Sequence, residues 1–237
     1  MSGELKRFYR VAEAVEADGG WQVCLDGRPV RTPARSHQTV PTRALAGAMA
    51  GEWNRQGETV DIARMHLTRL ANVAIDRTPG TRTDLAEEIV RFCETDLTCH
   101  LDANASELRG LQDAAWTPFR DWAGETLSVF LVPVEGIIAS PQPAASLEAA
   151  RTHALALDDF RLTGLAYGCG LFGSAILALA VEQGRASASD VFEASIIDAR
   201  FQAEQWGEDT EALAAQDERR QEAVALGAWF DALGDPS

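Results

Sequence analysis

The spacing of apolar residues changes about 40 residues into this chain of 237 residues. Before that point apolar and polar positions alternate, as Trp21, Val23 and Leu25 illustrate, and a period of two is typical of half-buried strands. After it, apolar residues recur every three or four positions, first in residues 44–53, as on one face of a helix. The chain therefore predicts an α+β fold, with a small N-terminal β-rich domain followed by a larger all-helical domain.

Turn and cap signals divide the N-terminal part. Asp26-Gly27 predicts a two-residue hairpin, because a type I′ turn requires a positive φ at both central positions. Thr42 is predicted to cap the first helix, which stops at Gly57. The second predicted helix covers residues 67–75. The predicted strands are residues 8–15, 21–25, 28–32 and 38–40.

Helical patterns dominate the rest of the chain. Pro79-Gly80 interrupts them, so we expect residues 1–80 to form the β-rich domain, with one or two helices, and residues 81–237 the helical domain. Residues 127–138 are rich in β-branched and aromatic residues and predict an extended segment. The predicted helices are residues 84–99, 106–126, 141–157, 158–182, 187–205 and 209–233, of which 158–182 is nearly all apolar and therefore central.

The charge is large, negative and unevenly placed. The chain has 21 basic and 36 acidic residues, a formal net charge of −15. Residues 1–82 carry a net charge of +3 and residues 83–237 carry −18. Such an acidic surface argues against nucleic-acid binding and against docking on anionic membranes. The longest apolar run, residues 170–181, is too short to span a bilayer, and the first ten residues lack a secretory signal. We expect a cytoplasmic protein.

No catalytic or metal-binding pattern stands out. The four cysteines form no CxxC pair, and Cys93, Cys99 and His100 fit no common zinc spacing, so buried, reduced thiols are expected. The glycine-rich residues 168–170 have no strand before them and predict close helix packing instead of a dinucleotide loop. The absence of these patterns favours a binding or assembly protein over an enzyme, and we expect no metal site.

Trp206 lies where a predicted helix ends among acidic residues, within residues 201–209. An aromatic side chain inside a polar rim is typical of the anchor of a protein–protein interface. The alternative is a structural role, in which Trp206 packs on the core at the end of its helix or joins Asp198 in holding the last two helices together. The sequence leaves both roles open.

Several segments, in order along nearly the whole chain, resemble the F(1)-ATPase assembly chaperone family in its α-proteobacterial form. The longest and most specific is MHLTRLANVAIDR at residues 65–77. The hairpin sequence LDGRPVRTP at residues 25–33 is another. The remaining segments are KRFY at 6–9, EW at 52–53, QGE at 56–58, TDL at 95–97, QP at 142–143, SIID at 195–198 and QWG at 205–207.

The resemblance implies a chaperone that binds the unassembled α subunit of the ATP synthase catalytic head. It would shield the subunit interface of α until the β subunit replaces it. It implies no enzymatic activity, no cofactor and no nucleotide use, and a monomer is expected. Eukaryotic relatives act in the mitochondrial matrix, whereas a bacterial member would act in the cytoplasm.

The resemblance also places a functionally important acidic position near residues 189–211. An acidic surface there would steer the chaperone toward basic residues of the client. Arg28, Arg69 and Arg77, which lie in matched segments, are expected to pair with acids at the domain junction. The candidate partner-binding residues are Asp190, Glu193, Asp198, Glu204, Trp206, Glu208 and Asp209.

Two other functions stay open at this point. The first is a small-molecule-binding protein or enzyme with an interdomain cleft that uses Arg69 together with Asp76 or His66; a bound small molecule or a strongly perturbed histidine would favour it. The second is a general holdase that suppresses aggregation without a specific client.

Overall fold

A computed structural model describes residues 5–104, 106–136, 138, 140–207 and 210–235. A small N-terminal sheet precedes a larger helical part, which confirms the predicted fold class. The strands are β1 (Ala12–Ala17), β2 (Gly20–Leu25), β3 (Arg28–Pro29), β4 (Thr39–Val40), β5 (His100–Leu101) and β6 (Val134–Glu135). The helices are α1 (Arg43–Asn54), α2 (His66–Asp76), α3 (Thr78–Glu94), α4 (Glu107–Leu127), α5 (Ala144–Ala156), α6 (Asp159–Phe172), α7 (Ala175–Glu182), α8 (Ala188–Ser195), α9 (Ile197–Trp206) and α10 (Thr210–Leu233).

The N-terminal sheet is antiparallel, and both β3 and β4 pair with the central strand β2. Asp26 and Gly27 have φ values of +47° and +79°, so the predicted hairpin turn is confirmed. β1 begins four residues later than predicted. The reason is that the Asp26 carboxylate accepts the backbone N–H groups of Arg10 and Val11, each at 3.0 Å, and holds them away from the ladder.

A buried carboxylate joins α1 to α2. Thr42 caps α1 as predicted, with its hydroxyl accepting from the N–H of Leu45 at 3.1 Å. Glu52, 5% exposed, lies in the last turns of α1. It accepts the N–H groups of Leu67 and Thr68 at 2.8 and 2.9 Å and the Thr68 hydroxyl at 2.7 Å. A negative charge at a helix N-terminus is favourable, so Glu52 fixes the start of α2 against α1.

A second buried carboxylate, Asp96, shortens one predicted helix and divides another. Its oxygens accept the N–H and hydroxyl of Thr98, the Ser174 hydroxyl at 2.7 Å and the N–H of Ile176 at 3.0 Å. Burial raises the pKa of Asp96, and these hydrogen bonds oppose that effect. The helix predicted to reach residue 99 therefore ends at Glu94, and the helix predicted over 158–182 breaks at Gly173, whose φ is +68°.

The core is centred on α6 and α7. α7 is buried along its whole length, and α6 packs on α2, α3 and α10. A Cβ on Gly168 would lie 3.1 Å from Leu226 of α10 and 3.2 Å from Ala178, so the predicted role of residue 168 in close helix packing is confirmed. One hydrophobic cluster runs from Val23 of the sheet to Trp229 of α10.

The helix α3 passes through the predicted domain boundary at residue 80 and departs from helical geometry at Thr81. The division into domains 1–80 and 81–237 stays a prediction. The predicted extended segment begins where α4 ends and includes β6, which pairs in parallel with β5. Within the described ranges, no helix is both long and apolar enough to cross a membrane.

Candidate partner-binding surface

Asp190 has a local structural role in the first turn of α8. The Ser187 hydroxyl accepts the N–H of Asp190 at 3.1 Å and donates to its carboxylate at 2.7 Å. This pair caps the helix much as a capping box does. Asp190 is exposed to solvent, so its charge still contributes to the surface.

Glu193 is already paired within the chain. Its carboxylate accepts from the guanidinium of Arg220 on α10, and Arg200 lies 3.7 Å away. The Arg220 guanidinium also stacks over the Phe192 ring, 5.0 Å from its centre. Glu193 therefore connects α8 to α10.

Asp198 attaches α9 to the body of the protein. The buried side chain of Gln112 on α4 donates its amide N–H to Asp198 at 2.8 Å. The amide oxygen of Gln112 accepts the backbone N–H of Asp102 at 2.8 Å, which fixes the orientation of the amide. The side chain of Asp198 thus positions the first turn of α9 against α4.

Trp206 is 81% exposed at the end of α9. The alternative in which this side chain packs on the core is therefore wrong. Gly207 follows with a φ of +92° and ends the helix. Glu204, two residues earlier on α9, is also exposed. An exposed indole is available as the anchor of a protein contact, a role in which tryptophan is enriched.

We call residues 198–219, around Trp206, the acidic arm; none of its described residues is buried. The sequence of the arm has seven acidic and two basic residues. Ile197 is the one buried residue of α9, and the buried positions of α10 begin only at Ala223. Two predicted partner-binding residues, Glu208 and Asp209, fall in the arm but lie outside the described residues.

The predicted partner-binding residues therefore divide into two groups. Asp190, Glu193 and Asp198 each have a partner that explains their position. Glu204 and Trp206 are exposed on the arm, where they are accessible to another protein. Sequence reasoning grouped all of them because acidity and proximity along the chain do not distinguish a paired carboxylate from an accessible one.

The residues proposed for an enzymatic cleft come together only in part. His66 and Arg69 line a cleft of about 590 Å³ opposite Asp217 and Glu222 of α10. Asp76 instead accepts the Thr32 hydroxyl at 2.7 Å. Arg69 therefore shares a cleft with His66 but not with Asp76.

The arginines of the matched segments behave differently from expectation. Arg69 donates to the carbonyl of Ala63 at 3.0 Å. In the part of the chain that the structure covers, Arg28, Arg69 and Arg77 form no salt bridge. The expectation that they pair with acids at a junction is wrong for the described residues.

The four cysteines are free and buried, as predicted. Burial raises the pKa of Cys93 and of Cys169, and raises that of Cys99 to about 12. A thiol that stays protonated at neutral pH is a poor nucleophile. Among the described residues, no group of His, Cys, Asp and Glu has the arrangement of a metal site.

Comparisons with known proteins agree with one another. The profile of a family described as ATP12 chaperone protein matches residues 6–124. The crystal structure of Atp12 from Paracoccus denitrificans is 36% identical, with a TM-score of 0.88 over 96% of this chain and 97% of that chain. A substituted mutant of the same Atp12p matches equally well. A candidate chaperone from Agrobacterium tumefaciens is 34% identical, with a TM-score of 0.90 over 96% of this chain and 86% of that chain.

Proposed function

The chain belongs to the ATP12 chaperone family, whose members act in ATP synthase assembly, and from this premise we propose that it binds the unassembled α subunit of the catalytic head. The chaperone shields the surface through which α later contacts β, and β displaces it. We place this activity in the bacterial cytoplasm, with the chaperone acting as a monomer and without catalysis.

The physical need for such a protein follows from the nature of obligate interfaces. Surfaces that are permanently buried between subunits are large and apolar. A subunit that exposes such a surface before assembly tends to aggregate. A chaperone that covers the surface needs a complementary shape and an affinity that the final partner can overcome, and it needs no chemistry.

The exposed indole of Trp206 on the acidic arm is the observation that supports this proposal most directly. Tryptophan at the centre of a contact commonly supplies a large part of the binding energy. The surrounding acids would steer the arm toward basic residues of the client and would pair with them at the rim. Asp198 is then a positioning residue, because it holds α9 to α4 through Gln112.

A pull-down with separately expressed α and β subunits of the same organism's ATP synthase tests the client. We expect α to be retained and β not, and we expect added β to release α. Retention of neither subunit, with both shown to be soluble, would contradict the proposal. If the protein suppressed the aggregation of unrelated proteins as well as it suppressed that of α, a general holdase would be favoured instead.

Trp206→Ala tests the surface. Because the side chain contacts little of the body, we expect the unfolding midpoint to stay unchanged and the affinity for α to fall by roughly 30-fold, the loss typical of a hot-spot residue. Val224→Ala is the matched control, since Val224 is 54% exposed on α10 outside the arm. Unchanged α binding by a folded Trp206→Ala variant would remove the arm from the interface.

A further inference from the structure

A groove of about 600 Å³ lies on the N-terminal part of the chain, beside the β2–β3 hairpin. Its lining includes the apolar residues Leu5, Phe8, Pro29 and Val30. Leu5 is 48% exposed and Phe8 67% exposed. None of its lining residues belongs to the acidic arm, so the groove is a separate surface.

The aromatic wall of this groove is held in place before anything binds. Phe8 meets Tyr9 edge to face with ring centres 5.4 Å apart, and Tyr9 meets Trp53 in the same way at 5.6 Å. The Arg7 guanidinium lies 4.7 Å from the centre of the Tyr9 ring. It also donates to the backbone carbonyls of Tyr9 and Arg10. A wall that is already ordered loses little entropy when it binds a partner.

The polar side of the groove is basic. Arg28 and Arg31 are exposed lining residues. The Arg28 side chain forms no hydrogen bond or salt bridge with any residue that the structure describes, whereas the Arg31 guanidinium donates to the backbone carbonyl of Arg35 at 2.9 Å. Asp26 is the one acidic residue in the lining, and its carboxylate oxygens accept hydrogen bonds from the N–H groups of Arg10 and Val11. These backbone hydrogen bonds lower the pKa of Asp26. The lining therefore has two guanidinium groups and one carboxylate, and the carboxylate already accepts hydrogen bonds within the chain.

These features together favour one class of occupant. An open groove with exposed walls covers only one side of a ligand, whereas small-molecule sites enclose most of the ligand surface. A peptide can extend along such a groove and place apolar and charged side chains in turn. We propose that the groove binds an extended segment of a partner protein in which an aliphatic or aromatic residue is flanked by Asp or Glu. The apolar residue packs on Phe8 and Val30, and the carboxylates pair with Arg28 and Arg31.

This inference does not depend on the identity of the client at the acidic arm. It assigns a second contact surface, of opposite charge, to a chain whose C-terminal part is strongly acidic. A protein that is held at both surfaces would be bound more tightly than at either one alone.

An array of overlapping 12-residue peptides from the α and β subunits of the same organism's ATP synthase, probed with the full chain, tests the groove. We expect the bound peptides to combine acidic residues with an aliphatic or aromatic one. The best binder is then titrated in solution by fluorescence anisotropy. No bound peptide, or a preference for basic peptides, would overturn the inference.

Variants locate the binding. The double variant Arg28→Glu, Arg31→Glu should bind the peptide with roughly tenfold lower affinity, because attraction of its carboxylates becomes repulsion at two positions. Phe8→Ser should weaken it through the lost apolar contact. Arg91→Glu, an exposed arginine on α3, is the matched control and should bind normally. Trp206→Ala should also bind the peptide normally, which separates this test from the test of the acidic arm. An unchanged peptide affinity in the double variant would overturn the proposal that the groove binds the peptide.

Discussion

Glu182 and Arg161 form a buried ion pair at the centre of the helical part. Glu182 is 1% exposed and Arg161 7% exposed, and the Arg161 Nε donates to the Glu182 carboxylate at 2.8 Å. Arg161 also donates to the backbone carbonyls of Glu182 at 2.6 Å and of Gly234 at 2.8 Å. One guanidinium therefore joins α6, the end of α7 and the residue that follows α10.

Glu182→Gln should destabilise the fold strongly, because it leaves the Arg161 guanidinium buried without a counter-charge. Removing one partner of a buried pair costs about 3–5 kcal/mol. The free energy of unfolding, measured in urea at neutral pH, tests this. Glu148→Gln is the control, since Glu148 is an exposed acid 3.2 Å from Arg151, and its loss should cost at most about 1 kcal/mol. Equal losses in the two variants would contradict the prediction.

The Glu182 carboxylate should also make the stability of the fold depend on pH. Burial alone would raise the pKa of Glu182, but hydrogen bonds from His153, Gln183 and Arg161 outweigh it and lower the pKa. The stabilisation is present above the unfolded pKa of about 4.3 and is lost as the pH falls through the lower folded value. The stability gap between the natural chain and Glu182→Gln should therefore shrink in acid. A gap that is constant from neutral pH into this acid range would refute the assignment.

At the scale of elements, the approach of α10 to α6 depends on residues without side chains. A Cβ added to Gly164 would lie 2.7 Å from both the Phe230 ring and the Trp229 indole nitrogen. Trp229 is completely buried, so neither ring has space to withdraw. The two helices can approach this closely only because position 164 lacks a Cβ.

Gly164→Ala should therefore destabilise the protein by about 1–3 kcal/mol, the usual cost of overpacking a core. Gly170→Ala is a matched control on the same helix, because nothing lies within 4 Å of its added Cβ. That change should be neutral or stabilise the helix by up to about 1 kcal/mol, since alanine has the higher helix propensity. Thermal unfolding of both variants provides the measurement; the reverse order would show that α10 does not pack on α6 in this way.

Local signals predicted the helix cap at Thr42 and the start of α4 beside Ser106, because a cap depends on residues three positions away. The predictions missed the helix ends at Glu94 and Phe172. These ends depend on Asp96, which accepts a hydrogen bond from Ser174, 78 positions along the chain. Distant hydrogen bonds of this kind leave no local pattern.

At the scale of the whole molecule, the uneven charge gives the chaperone two surfaces of opposite sign. The acidic arm should attract a basic client over a range set by the Debye length, about 10 Å at 0.1 M salt and about 3 Å at 1 M. We expect the association rate with α to fall as salt is added, while the dissociation rate changes little. Stopped-flow measurements at several salt concentrations test this.

The variant Glu204→Lys should bind α more slowly and with a weaker salt dependence than the natural chain. Glu125→Lys, which reverses an exposed charge at the end of α4, is the control and should retain the natural behaviour. A salt dependence that is the same in all three proteins would show that the arm does not steer association.

The candidate site was predictable only in part. Acidity near position 206 follows from composition, whereas the exposure of Trp206 was left open by the sequence and was decided by the structure. The partner-binding role of Trp206 and Glu204 stays a prediction. The pairing of Glu193 with Arg220 and of Asp198 with Gln112 could not be foreseen, because each joins helices distant in sequence. The groove at Phe8 and Arg28 was missed because no single segment contains it.

By itself, the sequence determined the fold class, the hairpin at Asp26-Gly27, the helix caps, the free thiols and the family, since each depends on local patterns or on ordered matches along the chain. The tertiary structure decided which charges are accessible and which are paired. It also decided that Trp206 is exposed and that Arg28 and Arg31 line one groove with Phe8. The physical reason is that burial and hydrogen bonding belong to packed neighbours, and neighbours in space are set by the whole fold.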